Sequence, residues 1–382
     1  MGTKRLSSPL ASQGVQLTSW IARWGRPGLI RPTPITALGI VLILLTGCDA
    51  GQPDGEHPPT NLDDGVSGVP TITLTEVSSA AIIGIPAGLV ATGGMLWVRD
   101  AAGDPGIHML DSESGELLQS FGSRGDGPGD FSTRPFGLVK EVEAPGTVWA
   151  WDLGHQRLTR LDPLPWREYE VQTINLEVPP TVQRVVRTEG GRFIGVAGSE
   201  ESRFVLFAPD GSRERVIAHP LPGPEEAPHR SRINAANQAI AVCAWPGRGF
   251  VVANSQFGQI DYYDHSGGHV RSADVPFPSD PIFEPDAAGV PTFRWRESHY
   301  VSCTATERAL YALHSGRDLA SHDSETAGSG NVIHVFTWSG ELLATYRLDR
   351  DVSRIFVDGD RGLVYASSLP DAAIYRFSLP DI

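Results

Sequence analysis

From about residue 71 onward, apolar positions arrive in short bursts separated by Gly, Asp, Pro and Ser, and no window sustains the i, i+3, i+4 spacing of a helix stripe. The bursts are rich in β-branched and aromatic residues, which favours strands bounded by turns. They also repeat. Residues 95–100 (MLWVRD), 107–111 (IHMLD) and 116–121 (ELLQSF) make a strand–turn–strand–turn–strand unit, with SESG at its second turn. Comparable units follow at 148–152, 157–162 and 169–176; at 193–196, 204–207 and 214–218; and at 250–254, 259–264 and 269–275. Two more lie at 310–314, 332–338 and 341–348, and at 363–367 and 373–378. A further strand precedes each unit, for example residues 183–187 before the third and 354–358 before the sixth.

Residues 71–382 number 312, which over six units is 52 apiece. The predicted fold is therefore all-β: a six-bladed β-propeller of four-stranded antiparallel blades, an architecture that leaves only short, protected sheet edges. The sixth unit lacks an outermost strand, and residues 71–77 (TITLTEV) alternate polar and apolar without a unit of their own. They are expected to supply that strand and close the ring.

The head of the chain is built differently. Residues 35–46 (ITALGIVLILLT) form an apolar run of 12, short of the roughly 20 that a membrane-spanning helix needs. The run follows a segment with Lys4, Arg5, Arg23, Arg26 and Arg31 and no acid, the layout of a secretory signal. It closes on Leu45-Thr46-Gly47-Cys48, which resembles the bacterial lipobox. That resemblance implies cleavage before Cys48 and lipidation of its thiol. The expected organisation is a signal peptide over 1–47, a Gly-, Pro- and Asp-rich tether over 48–70 and the propeller over 71–382. The expected location is the cell envelope, lipid-anchored and facing the periplasm or the exterior. Asp49 resembles an inner-membrane retention signal.

Charge then changes meaning. The formal net charge of −14 averages those 5 basic residues with a body of 26 basic and 45 acidic groups, or −19. So acidic a body repels phosphate backbones, and no nucleic-acid partner is expected.

Residues 121–131 read FGSRGDGPGDF. With the repeating units, this resembles bacterial six-bladed β-propeller lipoproteins related to the NHL-repeat class, in which a Gly-x-Gly-Pro-Gly-Glu/Asp-Phe/Tyr loop follows a strand ending in Ile/Phe-Gly. Gly125, Gly127, Pro128, Gly129, Asp130 and Phe131 carry the match. The resemblance implies a fold and an envelope location, and no catalytic residue. A phosphate loop would need Lys-Ser/Thr and a helix after the last Gly, and Asp130-Phe131 stand there instead. The glycines suit a tight connection between blades 1 and 2.

Aligning the units at their second strands gives a ring of terminal residues on one face: Asp100, Asp152, Ala197, Asn254, His314 and Ser367. Asp100, Asp152, Asn254 and His314 could form a polar funnel for Ca²⁺ or a sugar, and Asp and Asn equally suit the turn that follows each strand. Around the same mouth, Arg134, Arg184, Arg232, Arg296 and Arg354 stand near the starts of five of the six innermost strands. Their guanidinium groups could hold a carboxylate, a phosphate or an acidic glycan. His314 is also read as lying beside a polar turn, in solvent. Cys243 and Cys303 fall at equivalent places on the innermost strands of adjacent blades. A bridge needs Cα atoms within about 7 Å, and two buried free thiols are expected instead.

No GxSxG, HExxH or CxxC occurs. The expected role is binding or scaffolding at the loop-rich face, where residues 220–237, 276–299 and 316–331 make long excursions. The expected partners are the membrane, through the lipid, and a protein or small-molecule ligand. No catalytic residue and no cofactor are assigned, Ca²⁺ being the one candidate. The competing class is a metal-dependent hydrolase or lactonase using the central funnel.

Overall fold

The computed structural model describes residues 68–380 except 79–82, 133–136, 164–170, 178–181, 200–201, 218–221, 238–239 and 320–327. The signal peptide, Cys48, most of the tether and Arg134 lie outside the described residues.

Six blades of four antiparallel strands follow one another along the chain, the fifth extended by one short parallel strand. Blade 1 is built from Pro86–Thr92, Met95–Asp100, Ile107–Asp111 and Leu117–Phe121. Blade 2 uses Gly137–Lys140, Val148–Asp152, Arg157–Leu161 and Thr173–Asn175. Blade 3 uses Val182–Arg187, Phe193–Ser199, Ser202–Phe207 and Arg213–Ile217. Blade 4 uses Ile240–Trp245, Gly249–Asn254, Ile260–Asp264 and His269–Ser272. Blade 5 uses Glu297–Ala305, Leu310–Asp318, Gly330–Phe336 and Leu342–Val352. Blade 6 uses Arg354–Asp358, Leu363–Ser368 and Ala373–Ser378. Its outermost strand is Thr75–Ser78, antiparallel to the last strand of the chain. Each innermost strand touches those of both neighbouring blades, so the six complete a ring around an axis.

The expected closure by the N-terminal strand holds, with one difference. Thr71–Ile72 is a separate short strand that pairs in parallel with Arg347 and Leu348 of blade 5. Only after Leu74 does the chain pass to blade 6.

The apolar side chains collect in six clusters, one at each seam between blades. This explains the hydrophobic pattern. A second strand is covered on both faces by neighbouring blades, so VWAWD and GFVVAN are buried throughout. An outermost strand is covered poorly, and HVRS is exposed along its length. The 121–131 loop closes on itself through Gly125 N to Phe131 O (3.0 Å) and Phe131 N to Ser123 O (3.0 Å). Phe131 is thereby pushed into the seam between blades 1 and 2, a burial worth about 2–3 kcal/mol.

Three features depart from expectation. Cys243 and Cys303 form a disulfide with Cα atoms 6.0 Å apart, because adjacent innermost strands converge enough near the axis for bonding. The excursion before blade 4 contains an α-helix, α1 (His229–Asn237). The excursion before blade 5 folds into a hairpin of Ile282–Pro285 and Pro291–Arg294, tied to the helix by Phe293 N donating to Ser231 Oγ (2.6 Å). Among the described residues, no helix is long and apolar enough to cross a membrane.

Candidate functional site

The upper face is the one where innermost strands begin and second strands end. Of the proposed polar funnel, two members are engaged in loop closure. Asp100 accepts the amides of Gly84 (2.8 Å), Ile85 (2.9 Å) and Ala102 (2.8 Å), clasping the chain as it enters blade 1. Asp152 does the same for blade 2, accepting Ser132 N (2.8 Å), Ser132 Oγ (2.7 Å), Gly154 N (2.9 Å) and His155 Nδ1 (2.8 Å). Burial pushes both carboxyls up. The donated hydrogen bonds outweigh it, and both sit below the usual carboxylate range. Asn254 is held between Arg203 and the Gln259 carbonyl, each 3.1 Å away. Among the described residues, no group of three or more His, Cys, Asp or Glu converges as a metal site.

The arginines divide into two kinds. Arg232, on α1, donates to Pro222 O (3.3 Å), and Arg296 pairs with Glu284 of the hairpin. These two brace the excursions. Arg184 and Arg354 stand on the innermost strands of blades 3 and 6, which face each other across the ring, and they interact electrostatically, as side chains that share the axial opening do. Arg99, from the second strand of blade 1, joins them. The three guanidinium groups feel one another's charge. Burial, then the charge of Arg354, lowers Arg99 to about 10; burial, then Arg354 and Arg99, lowers Arg184 to about 9; burial lowers Arg354. All three remain half-exposed while surrounded by protein, the situation of side chains lining a narrow axial opening. Sequence reasoning missed Arg99, although a cation directly after the apolar MLWV and before Asp100 was its signal.

The sequence pattern of a family described as TolB-like 6-blade propeller-like matches residues 70–360. The chain belongs to this TolB-like propeller family. No curated protein shows significant similarity to it. Among solved structures, U3-55K is similar at 10% identity over 82% of this chain and 100% of that one, with a TM-score of 0.51. A putative exported protein from Bacteroides fragilis is similar at 11% identity over 80% and 94% of the two chains, with a TM-score of 0.49. Virginiamycin B lyase from Staphylococcus aureus is similar at 12% over 80% and 99%, with a TM-score of 0.47. At such identities the likeness shows the fold alone.

The TolB-like propeller also places His314 where the sequence reading did not. Its strand runs on to Asp318, four residues beyond the expected end, so His314 lies within the ladder opposite Tyr300 and Val332 and is only 3% exposed. It stacks on His334 (ring centroids 5.1 Å apart) and meets His299 edge-on (5.8 Å). Tyr300 OH bonds His334 Nδ1 (3.0 Å), while His314 Nε2 and His299 Nδ1 have no partner among the described residues. His299 Nε2 reaches Ser279 Oγ (3.2 Å) and Glu297 (3.3 Å). Ser279 lines a polar hollow of about 290 Å³ with Gln259, Ser272, Pro278 and Asp280 on the upper side of blade 4.

Proposed function

We propose that the protein is a lipid-anchored β-propeller of the bacterial cell envelope that binds a ligand or a protein at its loop-rich face. The observation that carries this reading is the concentration of chain on one face. The helix, the hairpin, the polar hollow and the convergent arginines all stand on the upper side. The lower side is closed mostly by tight hairpins, such as Asp111 capping the amides of Glu113 and Ser114 at 3.0 and 2.8 Å. Binding residues commonly ride on loops held by a rigid scaffold. The acid-free head, the short apolar run and Leu45-Thr46-Gly47-Cys48 support the lipid anchor, and the Cys243–Cys303 bridge suits an oxidising compartment.

Site-specific photocrosslinking in cells tests the reading. Trp295, 39% exposed between the hairpin and blade 5, is the probe position, and Val270, exposed on the outermost strand of blade 4, is the control. Adducts at 295 and none at 270 are expected, on protein in the membrane fraction that Cys48→Ser releases. Equal labelling at both positions, or at neither, would contradict binding at this face.

A further inference from the structure

Within the face assigned above to binding, the axial arginines specify what kind of group is held. Arg354 is fixed by donating through one terminal nitrogen to Val301 O (3.1 Å) and Ser353 O (2.6 Å). Arg99 donates to Ala87 O (3.2 Å) after crossing the innermost strand of its own blade. That crossing is made at Gly88, its register partner. A Cβ there would meet Arg99 Cβ, Nε and Cδ at 3.4, 3.5 and 4.0 Å, so the missing side chain gives the arginine its path to the axis. Open space also adjoins Gly137 at the start of the innermost strand of blade 2, where an added Cβ would meet nothing within 4 Å.

Charge is poorly balanced in this opening. Among the described residues, neither Arg184 nor Arg354 has a carboxylate partner. Asp100 acts electrostatically on Arg99, and its oxygens are taken up by the Gly84, Ile85 and Ala102 amides. Beside Arg354 stands its register partner Ser367, fully buried, with a hydroxyl that has no hydrogen-bond partner among the described residues. Three cations drawn from three sides of the ring would repel one another unless an anion stood between them. Guanidinium forks match the planar or tetrahedral oxygens of carboxylate and phosphate.

We propose that Arg99, Arg184 and Arg354 form an oxyanion site at the upper mouth of the axial opening, taking the phosphate or carboxylate end of a small multiply charged ligand. A group with two or more negative charges is favoured, because one charge leaves repulsion among three guanidinium groups unquenched. This assignment rests on the upper face being the binding face.

The test uses the full-length protein purified in detergent, titrated calorimetrically with inorganic phosphate and with citrate, against chloride at matched ionic strength. The expected result is saturable binding of one anion per chain and a rise in Tm with phosphate, citrate or both that chloride does not produce. The arm that binds more tightly separates phosphate from carboxylate chemistry. Arg184→Gln should weaken binding by about tenfold or more, while Arg184→Lys keeps most of it. Without anion, Arg184→Gln should melt higher than the parent, since a repelling charge has gone. Should that variant not fold, Arg354→Gln carries the same comparison of affinity. No saturable binding of either anion, an equal shift with chloride, or parental affinity in the glutamine variants would overturn the site. Crosslinking at position 295 does not depend on these arginines, so the two ideas fail separately.

Discussion

Three buried, mutually packed imidazoles resist protonation. Burial lowers His299 and His334 to about 4, and His314 is held well below the ordinary histidine range by burial and then the charges of His334 and His299. Among the described residues, Glu297 beside His299 is the carboxylate bonded to the group. In the unfolded chain the same rings titrate near 6.5. Below about that pH the unfolded state therefore takes up protons that the folded state refuses, so stability is complete above about 6.5 and drains as pH falls toward 4. A calorimetric Tm series should fall steeply across that window. His314→Phe keeps the ring packing, removes a buried nitrogen that has no partner, and should flatten the slope with no loss of Tm at pH 7. A flat parental profile would mean that the rings are hydrated. The cluster was illegible in the sequence because its members come from three separate strand positions, and because strand length past His314 was set by pairing with Ser298 and Glu297 rather than by the polar Ser315-Gly316 that reads as a turn.

At the scale of elements, strands were legible and their exceptions were not. The seams cover most strands on both faces, which writes apolar runs of strand length into the chain. The helix left no such trace. Its buried face is Ser231, Ile233, Ala235 and Ala236, with a single large aliphatic residue, so no hydrophobic stripe stands out of HRSRINAAN. The equivalence of Cys243 and Cys303 was legible from their spacing, but the separation of the two strands was not, since it depends on how near the axis the blades approach. With its ends 60 positions apart, the bridge removes loop entropy worth about 4 kcal/mol from the unfolded chain. Reduction should lower the urea midpoint accordingly, and denatured, unreduced protein should yield no thiol from these two positions in a colorimetric assay. Two titratable thiols without reductant would refute the bridge. The hairpins on the lower side show a second recurring device. Gly115 and Gly211 both take positive φ and lie directly against the outermost strand of the preceding blade, at Val77 and Asn175, where any side chain would collide with backbone. The turn signal seen in sequence thus also sets the spacing between blades.

For the whole molecule, the number of blades and the closing segment could be read from the repeats, but the axial arginine group could not. A net charge of −14 says nothing about three cations gathered from blades 1, 3 and 6, because their convergence is a property of the ring and not of any one repeat. Closure likewise depends on few side chains. Leu74, 5% exposed in the seam of blades 5 and 6, should cost about 2–4 kcal/mol on substitution by Ala. Leu118, 49% exposed on the rim of blade 1, should change stability by no more than about 0.5 kcal/mol. Urea unfolding of the two variants makes the comparison, and equal effects would show that the N-terminal segment is not part of the cooperative unit.

The split path of that segment has a mechanical corollary. Before reaching blade 6 the chain is fastened to blade 5 by Thr71–Ile72, by Arg347 N donating to Pro70 O (3.1 Å) and by Leu74 N donating to Asp349 Oδ1 (3.3 Å). A pull arriving from the N-terminal side would load these bonds and the Leu74 side chain first. Thr75–Ser78, which locks the ring, stands behind them as the clasp behind a cable clamp, so tension from an anchor could be borne by blade 5 without prising the propeller open.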